Sequence, residues 1–405
     1  MRIRAFQGLI PAAGREEDVA AVPYDVVNRE EAAALVKDAP DNLLHVDRAE
    51  IDLPDSIGDY DDEVYAKAKE NFDRMQADGV LVREPAATIY LYQQTMGDHT
   101  QTGIAALCHI DDYRDNIILK HEKTRPVKEN DRTRLVDTLS ANTGPIFLTY
   151  RDEEKVSALV EESLKTEPVC RFTAPDGIEH ALWRVADPDS LVEAFGDVPV
   201  SYVADGHHRT ASAYRVGSKR REENPNHDGT EDYNWFLCVL FPGSELKILE
   251  YNRAVKDLNG LSKEDYLAKL GETFEVAPCD KKVSGNPNEL CMYLDSAWYS
   301  LKWDAPDPSD PVAALDVSVL QDRLLEPVLG IGDPRTDNRI AFVGGIRGPE
   351  ELERLVNTGK AEVAFSVHPV SVEELMAIAD AGQIMAPKCT WFEPKLRSGL
   401  FVHTF

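Results

Sequence analysis

Three apolar residues, Tyr202-Val-Ala204, break abruptly into the polar run Asp205-Gly-His-His-Arg209. Small residues at helical spacing follow, Ala211 and Ala213 with Val216, up to Gly217. That order predicts a strand, a tight turn and a helix ending at Gly217, with the polar side chains gathered at the helix N-terminus. It commits the chain to a sheet in which at least one strand opens directly onto a helix.

Such a turn favours anionic ligands. First-turn N–H groups have no intrahelical partner, and the helix dipole is positive at that end. Gly206 lets backbone approach a ligand closely, and Arg209 can offer two donors to one phosphate. His207 and His208 donate when protonated or bind metal when neutral. With Asp205 and Thr210 they form the candidate phosphate-binding set. The plainer alternative is a helix start where Asp205 is a cap and the histidines are solvated. Four polar residues in one strand–helix turn favour a ligand site.

A chain of 405 residues accommodates two or three domains, or one large α/β body with an appendage. No run of about eighteen apolar residues occurs, so no membrane partner is expected. Met1-Arg-Ile-Arg-Ala-Phe-Gln-Gly8 lacks the apolar region of a secretory signal, which makes the cytoplasm the expected location. The net charge of −28 argues against a nucleic-acid partner, but not against a small anion in a local basic pocket. Cys108, Cys170, Cys238, Cys279, Cys291 and Cys389 include no C-x-x-C pair, which predicts buried free thiols and no cysteine-held metal.

Residues 3–10 read as one strand ended by Pro11, and Ala21–Val27 as extended, before a helix over 29–37 capped by Asn28. Residues 50–61 read as a loop. Val64, Ala68, Phe72 and Met75 predict an amphipathic helix over 61–78. Thr88–Tyr92 and Thr102–Ile110 predict an antiparallel hairpin, and Pro145–Tyr150 and His180–Val185 further strands around a helix from about residue 152. Trp235–Phe241, apolar throughout, suits a central strand covered on both faces. Residues 217–233 read as a mobile charged loop, 279–312 as two aromatic strands among Pro- and Asp-rich loops, and 313–329 as a helix. Ser371-Val-Glu-Glu374 reads as a capping box. Irregular alternation with hairpins predicts an α+β fold with a mixed sheet, and neither a dinucleotide fingerprint nor a P-loop occurs.

Charge patterning adds a second signal. Lys120–Arg134 carries six basic against three acidic residues, and Arg209–Arg221 carries five basic and none acidic. Some basic clusters arise by chance and most are solvated faces. The sharper reading has these segments converge on a polyanion, with the first a loop that closes over a site and Lys120 and Arg125 as phosphate ligands. Within it Glu122, flanked by His121, Lys123 and Arg125, is a candidate general base. Tyr24 and Asp25, at the end of an extended segment, are candidate substrate-binding residues, although a lone Asp in a turn is more often a turn former.

Several stretches carry a family resemblance over almost the whole chain. They are Ala21-Val-Pro-Tyr-Asp-Val-Val27, Tyr92-Gln-Gln-Thr-Met96, Lys120-His-Glu-Lys-Thr-Arg-Pro126, Asn142-Thr-Gly-Pro145 and Ala204-Asp-Gly-His-His-Arg209. Later ones are Tyr251-Asn-Arg253, Asp333-Pro-Arg-Thr-Asp337 and Trp391-Phe-Glu-Pro-Lys-Leu-Arg-Ser-Gly399. In these the chain resembles domain-of-unknown-function family 1015. Its signature turn is similar to the phosphate-binding turn of the ParB/sulfiredoxin-like superfamily, which includes free-serine kinases that phosphorylate L-serine from a nucleotide with a glutamate base. The resemblance implies a ParB/sulfiredoxin-like core with large insertions and a C-terminal α/β lobe. It also implies that Asp205–Arg209 binds phosphate and that His207, His208 and Arg209 stabilise the transferring charge. The family's glutamate has no motif partner here, so Glu122, Glu30 and Glu31 compete for the role.

The resulting expectation is a small-molecule phosphotransferase using ADP, ATP or CTP with Mg2+ and a hydroxylated metabolite such as serine. A nucleotide-hydrolysing switch without acceptor, and a metal-dependent hydrolase built on Asp205, His207, His208 and His121, are the alternatives. The expected organisation is a catalytic body over 1–254 and a lobe over 255–405, with homo-oligomerisation left open. Tail residues Lys388, Lys395 and Arg397 are expected either to reach back to the pocket or to line a subunit interface.

Overall fold

The unbroken apolar run at Trp235–Pro242 lies at the centre of a nine-stranded sheet, where every residue but Trp235 is buried. The computed structural model describes residues 1–307 and 309–405. The chain divides into two units: Met1–Lys120, Thr124–Leu246 and Pro394–Phe405 form the first, and His121–Lys123 with Lys247–Glu393 form the second.

In the first unit we label β1 (Ile3–Arg4), β2 (Tyr90–Met96), β3 (His99–His109), β4 (Ile118–Leu119), β5 (Ile146–Tyr150), β6 (Cys170–Thr173), β7 (Glu179–Arg184), β8 (Ser201–Asp205) and β9 (Trp235–Pro242). The order is β4-β8-β5-β9-β3-β2-β7-β6, with β1 beside β3. β4–β8 and β5–β9 are parallel and the other pairs antiparallel, so the fold is α+β with a mixed sheet, as expected. Three helices matter below: α1 (Asp62–Ala77), α2 (Pro126–Leu139) and α3 (His207–Glu223). α1 buries Val64, Ala68, Phe72 and Met75, the expected stripe. Burying Val64, Phe72 and Met75 contributes about 1.5–3 kcal/mol each.

Four expectations fail for local reasons. Residues 3–10 form two short strands because the segment changes partner: Ile3 pairs with Cys108, whereas Leu9 pairs with Arg83. Ala21–Val27 is not extended throughout, since Arg48 Nη1 gathers the Tyr24 and Val27 carbonyls at 3.1 and 2.9 Å and the chain turns there. Most of Lys120–Arg134 is helix: Pro126 sits in the first turn of α2, where its missing N–H costs nothing. α3 does not stop at Gly217 but continues to Glu223, replacing the start of the expected loop. Gly217 is small because a Cβ there would lie 2.4 Å from the Tyr233 carbonyl oxygen, a packing reason that mimics a stop signal.

The second unit holds a six-stranded antiparallel sheet in the order Glu275–Pro278, Ala297–Lys302, Glu289–Leu294, Val363–Ser366, Tyr251–Val255, Ile340–Gly344. The two aromatic strands expected in 279–312 are Glu289–Leu294 and Ala297–Lys302; position 308 of the adjoining loop lies outside the described residues. The helix expected over 313–329 is α-helical at Asp316–Leu320 and widens to a π turn at Gln321–Leu325. Pro327 supplies no N–H and crowds the preceding turn, which favours the wider i→i+5 bonding. The Ser371–Glu374 capping box is present. Arg253 is buried at 2% exposure; its Nη1 donates to the Tyr251 carbonyl, and its guanidinium lies 4.7 Å from the Phe342 ring centroid. All six cysteines are free. No helix among the described residues is long and apolar enough to cross a membrane.

Candidate functional site

β8 feeds α3 through one residue, Gly206, at φ +90° and ψ 30°. A Cβ there would meet only Ile146 atoms at 3.7–3.9 Å, so the left-handed torsion, not crowding, calls for glycine. The register of β8 against β5 shifts between Val203 and Asp205, a bulge that re-aims the last residue of the strand. Asp205 consequently does not cap the helix. Its Oδ2 lies 2.6 Å from Lys395 Nζ and its Oδ1 accepts the Gly206 N–H at 2.8 Å, while no side chain caps α3. Burial resists ionisation of this carboxyl, but the Lys395 charge and hydrogen bond and the Gly206 N–H outweigh it and hold its pKa down at about 2.

His207 is buried, and Thr210 Oγ1, fully buried, donates to the Gly206 carbonyl at 3.0 Å. His208 Nε2 accepts the Arg125 N–H at 3.0 Å. Arg125 is the residue that caps α2, so one imidazole joins the starts of two helices and must present a bare Nε2 to do so. Further along, Ser212 Oγ donates to the Glu129 carbonyl, Arg215 pairs with Glu129, and Lys219 and Arg220 pair with Asp137. Rising numbers on one helix meet rising numbers on the other. α2 and α3 therefore run side by side in the same direction, and their N-termini are level.

Arg209 turns away from the helix start. Its Nη2 reaches Asp47 Oδ2 at 3.2 Å and Ser398 Oγ at 3.1 Å, and its guanidinium lies 5.4 Å from the Tyr24 ring centroid. Its Nη1 lies 1.5 Å from where a Cβ on Gly144 would be, so this close approach requires glycine at 144. Asp47, at 2% exposure, also accepts Thr143 Oγ1 at 2.5 Å, and its carbonyl accepts Arg132 Nη1 at 3.1 Å. Arg132 bonds Asp131 and stacks 4.0 Å over Tyr24; Tyr65 donates to Asp131 at 2.9 Å. Burial, then the Asp25 charge, push the Tyr24 hydroxyl well above the usual range.

The other sequence candidates are placed as follows. Lys120 lies over the Tyr113 ring, Asp25 is exposed beside Tyr24, and Glu31 closes the capping box of Asn28. Glu30 is exposed, and Glu122 belongs to the second unit, where the adjacent His121 carbonyl accepts the Met385 N–H. The basic run Arg209–Arg221 is not an unpaired cationic surface: Arg209, Arg215, Lys219, Arg220 and Arg221 each meet a carboxylate. Of the tail residues, Lys395 reaches Asp205 and Arg397 reaches Asp176 within the first unit, while Lys388 lies over the Tyr251 ring in the second.

Sequence reasoning missed Asp47, Arg132, Thr143 and Ser398. Asp47 is a buried charge whose partners are far along the chain, and Arg132, although it pairs with its neighbour Asp131, reaches the Asp47 carbonyl 85 positions away, a relationship without local pattern. Thr143 and Ser398 did fall inside stretches that carry the family resemblance, as do Tyr24, Arg125 and Arg209. These five residues all belong to the first unit.

A family model described as "Protein of unknown function (DUF1015)" matches residues 3–318. The chain belongs to the DUF1015 family. No curated protein matches it. Among solved structures, this DUF1015 member is similar to a free serine kinase in complex with AMP at 14% identity and TM-score 0.40, over 73% of this chain and 92% of that one. It is similar to SbnI from Staphylococcus aureus at 12% identity and TM-score 0.39, over 73% and 87%. A conserved hypothetical protein from Pyrococcus furiosus matches at 12% identity and TM-score 0.36, over 73% and 94%.

Proposed function

We propose that the turn Gly206–Thr210 binds the phosphate end of a nucleotide, and that the protein transfers a phosphoryl group from it to the hydroxyl of a small metabolite. The observation that carries this reading is the level, parallel start of α2 and α3. Each helix places about half an elementary positive charge at its N-terminus. Setting two such ends together costs electrostatic energy unless an anion shares them, and β4 and β8, which lead into these helices, are parallel neighbours. In open parallel α/β sheets ligands collect outside the carboxyl ends of the strands, and this parallel pair has that local arrangement.

In this reading the first-turn N–H groups of α3 receive the phosphate and His208 orders the two helix starts. Arg209 fixes the turn through Asp47 and Ser398. Phosphoryl transfer asks chiefly for positioning and positive charge, which this arrangement supplies. The turn does not fit a protein-held magnesium, because its carboxylate, Asp205, is engaged by Lys395. That pairing and the His208 acceptor bond likewise engage Asp205 and His208, two of the residues a metal hydrolase here would use.

Titration calorimetry of the full chain with ADP, ATP and CTP, followed by a phosphorylation assay over amino acids and hydroxy acids, tests it. The expected result is nucleotide binding, with transfer to a hydroxylated acceptor. Binding without any acceptor would leave a nucleotide switch. Absence of binding by all three nucleotides would overturn the proposal.

A further inference from the structure

A carboxylate beside an anion site must be managed, and Asp205 immediately precedes the start of α3. An Asp near a helix start ordinarily turns its oxygens onto the first N–H groups and occupies them. Here both oxygens are taken elsewhere, by Lys395 Nζ at 2.6 Å and the Gly206 N–H at 2.8 Å. Lys395 is the more fixed partner: its side chain is 13% exposed against 40% for Asp205.

The lysine's backbone is itself held from the β2–β3 hairpin. Gln94 Nε2 donates to the Lys395 carbonyl at 2.8 Å, and Gln101 Nε2 donates to Gln94 Oε1 at 3.0 Å and points toward the Pro394 carbonyl at 3.4 Å. Both glutamines are fully buried, and they face each other in the strand register. A buried amide pair aimed at two consecutive carbonyls sets the height at which the Lys395 side chain leaves the chain. The strand bulge and this amide pair thus bring a carboxylate and an ammonium together from residues 190 apart in sequence.

We propose that Lys395 is a positioning residue of the phosphate site: it draws the Asp205 carboxylate off the start of α3 and cancels its charge, leaving the helix N–H groups to an incoming phosphate. The inference rests on the reading of this turn as a phosphate site. It assigns no contact between Lys395 and the ligand. Its consequence is that residue 395 matters to binding because of Asp205, and ceases to matter once Asp205 is uncharged.

The test is a set of variants, Lys395→Met, Lys395→Arg, Asp205→Asn and the double variant, each titrated with ADP and with ATP and melted without ligand. Lys395→Met is expected to weaken binding by about tenfold or more, since it leaves an uncompensated carboxylate beside the phosphate. Lys395→Arg is expected to stay within about threefold of the wild type, and the double variant to return to within about threefold. A residue that only holds the tail in place would lower the melting temperature in Lys395→Met and gain nothing from Asp205→Asn. A double variant that binds no better than Lys395→Met overturns the inference while wild-type binding stands. A wild type that binds neither nucleotide overturns the reading of the site instead.

Discussion

In the first unit, buried Arg132 and half-buried Arg209 are each set against a carboxylate, Asp131 and Asp47, whereas Arg253 in the second unit is buried with none among the described residues. Among the described residues Arg253 meets a backbone carbonyl, the Phe342 and Tyr251 rings and the Cys389 thiol, and burial pulls its pKa down. The first arrangement is a closed circuit in which each member leaves others stranded when removed. The second is a single guanidinium cushioned by ring faces and a carbonyl, and it strands no other charge. Buried charge therefore constrains the two units differently: mutually in one, singly in the other.

Acid should separate the units most widely. His109, His180 and His403, all in the first unit, have pKa values depressed to about 4, 3 and 4. Burial is the leading cause in each, helped by Arg2 at His109 and by Arg397 at His180. Folded values below the unfolded value of about 6.5 mean that the unfolded chain takes up protons first. Their contribution is intact above pH 6.5 and is lost as pH falls through 4 toward 3. The first unit should lose upward of ~5 kcal/mol over that range, and limited proteolysis at pH 4 should cut it before the second. Simultaneous cleavage of both units would remove the contrast.

Asp47→Ala should come next, at about 3 kcal/mol in urea unfolding of the first unit, because it takes the carboxylate from half-buried Arg209 and the acceptor from the Thr143 hydroxyl. Gly206→Ala should cost about 1–3 kcal/mol through its left-handed torsion alone, without touching the Asp47 circuit. Arg253→Met should be smallest, within about 1 kcal/mol of the wild type or stabilising, since an apolar side chain of similar length replaces a lone buried charge. A loss as large as that of Asp47→Ala would mean that Arg253 has a counter-charge after all, and would erase the distinction.

What was legible in the sequence follows the range of the interactions. The β8–Gly206–α3 unit, the hairpin, the amphipathic α1 and the Asn28 and Ser371 caps are decided by residues within a few positions of one another, and they stand as expected. Lys120–Arg134 misled because its charges mask a helix whose polar side faces α3 and whose buried residues include Asp131 and Arg132, not an apolar stripe. Gly217 misled because a glycine kept small for packing is spelled like one that ends a helix. At the site, the turn was readable, but the direction of Arg209 was not: the residues that hold it, Asp47 and Ser398, are 162 and 189 positions away.

The division of the chain has a consequence for synthesis. Residues 394–405 belong to the first unit but are translated after the whole of residues 247–393. Until they emerge, Arg209 waits for Ser398, the buried glutamines for their carbonyls, and Asp205 for its ammonium. A growing chain can finish the second unit while the first still lacks its closing segment, so the part that begins first on the ribosome is completed last.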